Sequence, residues 1–257
     1  MGRAACRCGG AGAVLHRLIR TVPETGSTNA DLAEALRQGE GVGEGHWLIA
    51  ARQTAGRGRE GRSWFDGHGN FMGSTIVRLS PRDPSPTSLA LLAGVALYEA
   101  VLPVLAAPAR LSVKWPNDLM LGDAKLAGIL LERLGDAVIV GIGVNLAIAP
   151  QLPDRRTVAL SAFGPAPDRD SFARTLSATF ASELLRWRSY GIEPLVRRWE
   201  SMAHPVGTGL TVRAPGEEPI SGAFAGLTEA GALRLRLPDG AERVVHAGDV
   251  MLANEED

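Results

Sequence analysis

K-W-P-N-D-L-M-L-G-D-A-K-L-A-G-I-L-L-E, residues 114–132, is a succession of short extended pieces and tight reversals. Leu111 to Trp115 reads as a strand that Pro116 cuts, and Trp-Pro-Asn-Asp is a strong turn signal. Leu119 to Leu121 resumes the extended chain. Gly122-Asp123 gives a hairpin-like reversal ahead of Lys125, and Ile129 to Arg133 is the next strand. The stretch also holds the only two lysines, Lys114 and Lys125; every other one of the 27 Lys and Arg residues is arginine. An arginine-rich coding bias removes lysine wherever arginine will serve. The two survivors then mark places that want a compact, mobile point charge rather than a planar fork. Such a charge suits a site that holds a small anion and follows it through a reaction. The two lysines are expected to converge on one pocket across the reversal.

Downstream, Ala137 to Leu146 (AVIVGIGVNL) is apolar on both faces and so reads as a central strand. Asn145 near its end can be presented to a pocket. Upstream, Leu89 to Leu105 reads as an apolar helix packed on a sheet face, and Phe71 to Leu79 as a strand. Trp47 to Arg52 is a short strand that runs into Q-T-A-G-R-G-R-E-G-R-S-W, residues 53–64. GRGREG matches G-x-G-x-x-G in form, but its context is wrong for a dinucleotide fold. No helix-forming segment follows, and Arg78 stands where the acidic residue should be. A glycine-jointed loop carrying several guanidinium forks is the better reading, suited to closing over a carboxylate and phosphates.

Further upstream, E-T-G-S-T-N (24–29) precedes ADLAEALRQG. Ser27 or Thr28 can cap a helix that Gly39 ends, and its hydroxyls and free N–H groups can face a polar ligand. Val14 to Thr21 alternates like an edge strand. After residues 151–167, which are loop-like, Asp168 or Asp170 caps a core helix with Phe172, Leu176, Phe180 and Leu184 at i+4 spacing. Ile192 to Met202 follows as a short segment. From Gly209 the pattern changes to short strands and glycine turns, a small terminal β-barrel, with a boundary near His204-Pro205.

Composition excludes several classes. Net charge is −1, so no global basic field favours nucleic acid. Cys6 and Cys8 alone make neither a zinc site nor a disulfide framework, and the histidines lack metal-ligand spacing. The most apolar run, Leu89 to Ala107, is broken by Glu99 and Pro103, so no membrane span is expected. A cytoplasmic location is the expectation.

Together, ETGSTN (24–29), QTAGRGREGRSW (53–64), KWPNDLML (114–121), KLAGILLE (125–132) and VGIGVNL (140–146) resemble the biotin protein ligase family. The C-terminal pattern resembles that family's small SH3-like domain. The resemblance implies an α+β fold: a central mixed β-sheet flanked by helices, of the class II aminoacyl-tRNA synthetase/biotin synthetase type, plus the SH3-like barrel. It implies a loose segment at 1–13, a catalytic domain at 14–204 and the barrel domain at 205–257. It also implies the monofunctional type, without a DNA-binding domain in front. Three departures stand out: that missing domain, Gly26 where an acidic residue is common, and no tryptophan between Asn145 and Thr157 to stack on adenine.

The implied reaction has two steps. Biotin and ATP, with magnesium, give biotinyl-5′-AMP and pyrophosphate; the adenylate then acylates one lysine of a biotin carboxyl carrier domain. Carried over residue by residue, Ser27, Thr28, Asn29 and Gln53 would hold the ureido ring. Arg57, Gly58 and Arg59 would form the loop over the adenylate. Lys125 would bridge the biotin carboxylate and the α-phosphate, with Gly128 allowing close backbone approach. Arg62, Trp64, Lys114, Asn117 and Asn145 would lie on the nucleotide side, with no side chain implied as a direct magnesium ligand. Lys125, Arg59 and Asp118 would be catalytic, Asp118 orienting the incoming amine or accepting its proton. Trp115 reads as core. The family also makes a homodimer plausible, with no DNA or membrane partner. The rivals are a lipoate/octanoate–protein ligase and a non-catalytic biotin-binding module.

Overall fold

The computed structural model describes residues 18–105, 111–214 and 216–252. Cys6, Cys8, the start of the strand expected from Val14 and the acidic C-terminal residues lie outside them. Seven strands form a mixed sheet in the order β1-β2-β3-β7-β6-β5-β4. They are β1 (Ile19–Val22), β2 (Trp47–Ala50), β3 (Phe71–Arg78), β4 (Leu111–Lys114), β5 (Asp118–Leu121), β6 (Ala124–Leu134) and β7 (Ala137–Val144). Only β1 and β2 pair in parallel. The apolar β7 is the middle strand, hydrogen-bonded to β3 and β6 along its whole length.

The two faces of this sheet are covered differently. One carries α2 (Leu89–Val101), α3 (Arg169–Tyr190) and α4 (Glu193–Met202). Trp47, Ile49, Val140, Ile142 and Val144 point into the main core beneath them. The run Pro86–Val104 is apolar and long enough to cross a membrane. Its burial against α3, α4 and β6 explains that composition: α2 is a core helix, and Glu99 is tied to Arg198 of α4. Asp168 caps α3 by accepting from the Ser171 N–H at 2.8 Å, and Trp187 near its end donates to Ser88 Oγ at 2.8 Å.

The other face is only half covered. Helix α1 (Thr28–Arg37) packs Leu32 on Leu48, Ile76 and Ile139 at one end. Residues of period two along β7 then bring Gly141, Gly143 and finally Asn145 to the uncovered part. Gly143 lies directly opposite Gly128 of β6. The two glycines make a dip in the sheet, and that dip is the floor of a cavity.

The strand expected from Ile129 begins already at Ala124. The reason is an irregularity in its pairing with β5: Leu119 faces Ala127, but Met120 faces Lys125, which leaves Leu126 as an extra residue. Lys125 and Gly128 are an odd number of residues apart and would face opposite ways in a regular strand. The bulge turns both towards the cavity and buries Leu126 completely.

A second, five-stranded antiparallel sheet follows α4, in the order β11-β10-β9-β8-β12. Its strands are β8 (Gly209–Arg213), β9 (Ile220–Leu227), β10 (Leu233–Arg236), β11 (Glu242–Val245) and β12 (Asp249–Leu252). It is bound to α4 and to the end of β4 through apolar and polar contacts. Trp199 meets Phe224 edge-on, Trp115 Nε1 donates to Gly231 O at 3.2 Å, and the Leu227 N–H donates to Glu200 at 2.7 Å. Trp115 is therefore a core residue with one polar tie across the junction.

Candidate active site

The cavity over the glycine floor has a volume of about 390 Å³. One end is neutral and rich in hydrogen-bonding groups. Ser27 holds the N-cap position of α1, yet its side chain makes no capping hydrogen bond. Capping alone therefore does not account for Ser-Thr-Asn. Thr28 presents its backbone N–H and its hydroxyl to Gln53 Oε1 at 2.7 and 3.0 Å. Ser74 Oγ donates to Asn29 Oδ1 at 2.6 Å, and Asn29 Nδ2 donates to Glu132 Oε2 at 2.6 Å. Ser27, Thr28, Asn29, Gln53 and Ser74 are all buried. Asn29 lies flat on β7 because position 141 is glycine: a Cβ there would overlap Asn29 Oδ1 and stand 3.0 Å from its Cγ.

The middle of the cavity is aromatic. Trp64 lies across Gly143 and Gly128; a Cβ on Gly143 would overlap its ring, with Nε1 at 2.6 Å. Lys125 Nζ stands 5.9 Å above the same ring. Trp64 Nε1 and Asn145 Oδ1 are buried and unpartnered among the described residues. An unmade buried hydrogen bond costs about 1–3 kcal/mol, and both groups belong to cavity-lining residues, where a ligand can complete them.

The far end is ionic. Asp118 receives Lys125 at 2.5 Å on Oδ1 and Lys114 at 3.6 Å on Oδ2. Burial alone would push this carboxyl up; Lys125 and then Lys114 outweigh burial, with Arg155 helping, and hold it below the ordinary carboxylate range. Arg57, Gly58, Arg59 and Arg62 line the cavity wall from the 53–64 loop. That loop makes only a short helical turn at Arg59–Gly61, with Glu60 at φ 56°, so the dinucleotide reading fails in structure as in sequence. Arg59 Nη1 donates to Asn117 Oδ1 at 3.3 Å and Gly248 O at 3.2 Å, while Arg62 Nη2 donates to Asp249 Oδ1 at 2.8 Å. Asn117 is held in turn by donating to Ile129 O at 2.7 Å.

Of the residues singled out from sequence, all but one line this cavity. The exception is Lys114. It is buried behind Asp118 and touches the cavity only through that carboxylate, because β4 runs along the sheet edge outside β5. Sequence reading missed Ser74, Glu132, Asp154, Arg155 and Asp249. A buried serine inside the apolar run FMGSTIV was a usable signal. Asp249 carried none, since it arrives from the second sheet.

His204, just after α4, has a buried Nε2 with no hydrogen-bond partner among the described residues. Burial, and then Lys114, pushes its pKa down to about 4 from 6.5. Above pH 6.5 the imidazole is neutral in both folded and unfolded chains. As pH falls from 6.5 towards 4, the unfolded chain takes the proton first and stability drops. After allowance for partial solvent screening, we expect His204→Leu to spare about 2 kcal/mol of that acid loss. Thermal melts at neutral pH and near pH 4.5 measure it; parallel acid slopes for the two proteins would contradict the assignment.

The cavity thus combines a neutral hydrogen-bonding pocket with an end rich in cations, an arrangement suited to a ligand that is polar and uncharged at one end and anionic at the other. The sequence matches the Biotin/lipoate A/B protein ligase family over residues 23–147 and the biotin protein ligase C-terminal domain over residues 209–252. It is 38% identical over 237 residues to a biotin–[acetyl-CoA-carboxylase] ligase from Paracoccus denitrificans, covering 88% of this chain and 97% of that protein. It is 35% identical over 239 residues to the enzyme of that name from Mycobacterium tuberculosis, covering 91% and 89%. A biotin protein ligase from Aquifex aeolicus, solved with biotin and ATP, superposes with a TM-score of 0.80 at 27% identity, covering 92% of this chain and 98% of that one. The chain belongs to the biotin protein ligase family, and the SH3-like C-terminal domain expected from sequence is the five-stranded sheet.

Proposed function

We propose that this protein activates biotin with ATP as biotinyl-5′-AMP and transfers the biotinyl group to a lysine of a biotin carboxyl carrier domain. The carrying observation is the polarity of one cavity: buried neutral donors and acceptors at one end, Lys125 and the loop arginines at the other. A ureido ring needs both donors and acceptors, which Ser27, Thr28, Asn29 and Gln53 offer. A valeryl chain needs an apolar passage, which the glycine floor and Trp64 provide.

In the first step a biotin carboxylate oxygen attacks the α-phosphorus, an O–P bond forms, and pyrophosphate leaves with the electron pair of the broken bond. Two anions must meet, so cations that screen them and fix their approach supply most of the rate. Lys125 can leave Asp118 to bridge carboxylate and phosphate. Arg59 and Arg62 offer planar forks to the phosphates, with Arg57 and Gly58 closing the loop; each charge-assisted bond contributes about 1.5–3 kcal/mol net. Asn117, Trp64 and Asn145 complete the nucleotide side. The cavity carboxylates Asp118, Asp154 and Asp249 are each paired with a cation. None of the three is thus free to ligate a metal directly, and a magnesium ion would be held chiefly by the triphosphate, where it would neutralise phosphate charge.

In the second step the carrier lysine forms a C–N bond to the activated carbonyl, and AMP departs. Biotin-dependent ATP–pyrophosphate exchange, followed by biotin transfer to a purified carrier domain, tests the proposal. Exchange with lipoate in place of biotin would favour the rival ligase, which the match to the biotin-type C-terminal domain and the biotin ligase relatives speaks against. Biotin binding without pyrophosphate release would favour a binding module.

Arg59 ties the loop to Asn117 and to the second sheet, so its loss should open the cavity. We expect Arg59→Gly to label bystander lysines of serum albumin at least about tenfold faster than wild type, the effect of losing roughly one charged hydrogen bond. Labelling that stays confined to the carrier would sink this retention role.

A further inference from the structure

The two lysines of this chain grip one carboxylate from opposite sides. Asp118 is one-tenth exposed, with Lys125 of β6 on the cavity side and Lys114 of β4 behind. Among the described residues, no hydrogen bond supplements the Lys125 contact at Oδ1. The other titratable groups among the described residues that act on this cluster are Arg155, from the loop after β7, and His204, after α4, which sits beside Lys114 and is neutral at pH 7. If Lys125 turns to a substrate anion, as the reading above requires, Asp118 loses its nearest cation. A buried carboxylate left in that condition takes up a proton. A neutral carboxylic acid has no charge with which to draw in the ammonium of an acceptor lysine.

We propose that Lys114 is the resident counter-ion of Asp118, a positioning residue that keeps the carboxylate ionised while Lys125 is engaged with the substrate, so that an anion remains to receive the acceptor lysine. This goes beyond the nucleotide role that sequence resemblance suggested for Lys114, and it rests on the proposed reaction. Lys114 does not line the cavity; its charge reaches the site through Asp118. In the transfer step the acceptor ammonium, held by Asp118, first gives a proton to solvent base. The amine then forms the C–N bond, the C–O bond to phosphate breaks, AMP leaves with that electron pair, and the second nitrogen proton passes to solvent.

Single-turnover transfer from preformed biotinyl-5′-AMP to a carrier domain, followed across pH, tests the assignment in the full-length protein. Lys114→Met should move the acidic limb of transfer up by about one pH unit, which slows transfer by about tenfold at pH values on that limb and little on the plateau above it. Lys114→Arg, which restores a charge, should return both towards wild type. In an Asp118→Asn background, adding Lys114→Met should change transfer less than about twofold, because the group it serves is gone. The double variant removes Lys114 together with the carboxylate behind which it is buried and leaves only the cavity-facing Lys125 without its partner; this comparison stands even if Lys114→Met alone does not fold. A loss of about tenfold on adding Lys114→Met to Asp118→Asn, or an acidic limb unmoved in Lys114→Met, overturns the counter-ion role. A wild-type protein without biotin-dependent exchange overturns the reaction itself, and the counter-ion role with it.

Discussion

Lys125→Ala lowers biotin-dependent ATP–pyrophosphate exchange by about 100- to 1,000-fold, the effect of removing one preorganised charge from a reaction centre where like charges meet. Lys125 is the one cavity-facing lysine, and a strand bulge is spent on aiming it. Arginine is an unsuitable replacement: a planar fork 5.9 Å above the Trp64 ring would stack there, where the lysine can swing between Asp118 and a substrate anion. Lys125→Arg should therefore recover little exchange. The alanine variant also leaves Asp118 with Lys114 as its only ion-pair partner among the described residues, so a loss of stability accompanies the loss of rate. The two effects separate in the measurement. A folded Lys125→Ala protein by thermal melt, with exchange near background, supports the assignment; wild-type exchange in that protein would refute it.

Much of this arrangement was visible in the amino-acid pattern, for reasons that differ from element to element. The apolar run AVIVGIGVNL had to be a central strand, because nothing in it could face water. That Gly141 and Gly143 form a floor for other side chains was not read from it, because the partners of those glycines, Asn29 and Trp64, come from elsewhere in the chain. The G-x-G-x-x-G string was separable from a dinucleotide loop because the helix that such a loop needs was absent. Lys114 was harder. A turn at Trp-Pro-Asn-Asp brings it opposite Asp118 in register, and sequence cannot tell which side of that carboxylate it approaches. The bulge at Leu126 has no signature in A-K-L-A-G, so the start of β6 fell late. Asp249 joins the site only because the second sheet docks beside the arginine loop, a packing outcome that local pattern does not encode.

The neutral end of the cavity is as sensitive as the ionic one, and position 141 exposes it. Asn29 is fixed on four sides: by Ser74 at its Oδ1, by Glu132 at its Nδ2, by α1 behind it and by the bare backbone of Gly141 beneath. A methyl group added at 141 meets a short, buried side chain held by two hydrogen bonds. Either Asn29 tips away and surrenders both hydrogen bonds, or β7 shifts against its two neighbours in the middle of the sheet. The first is cheaper, since each hydrogen bond is worth about 1 kcal/mol net while moving a packed central strand disturbs the whole core. Gly141→Ala should therefore leave the sheet folded and raise KM for biotin by about 30- to 100-fold, with KM for ATP changed far less. Steady-state exchange with each substrate varied in turn makes the comparison. Equal increases for biotin and ATP would mean that the glycine floor serves the cavity as a whole, and that Asn29 is not specific to the ring-binding end.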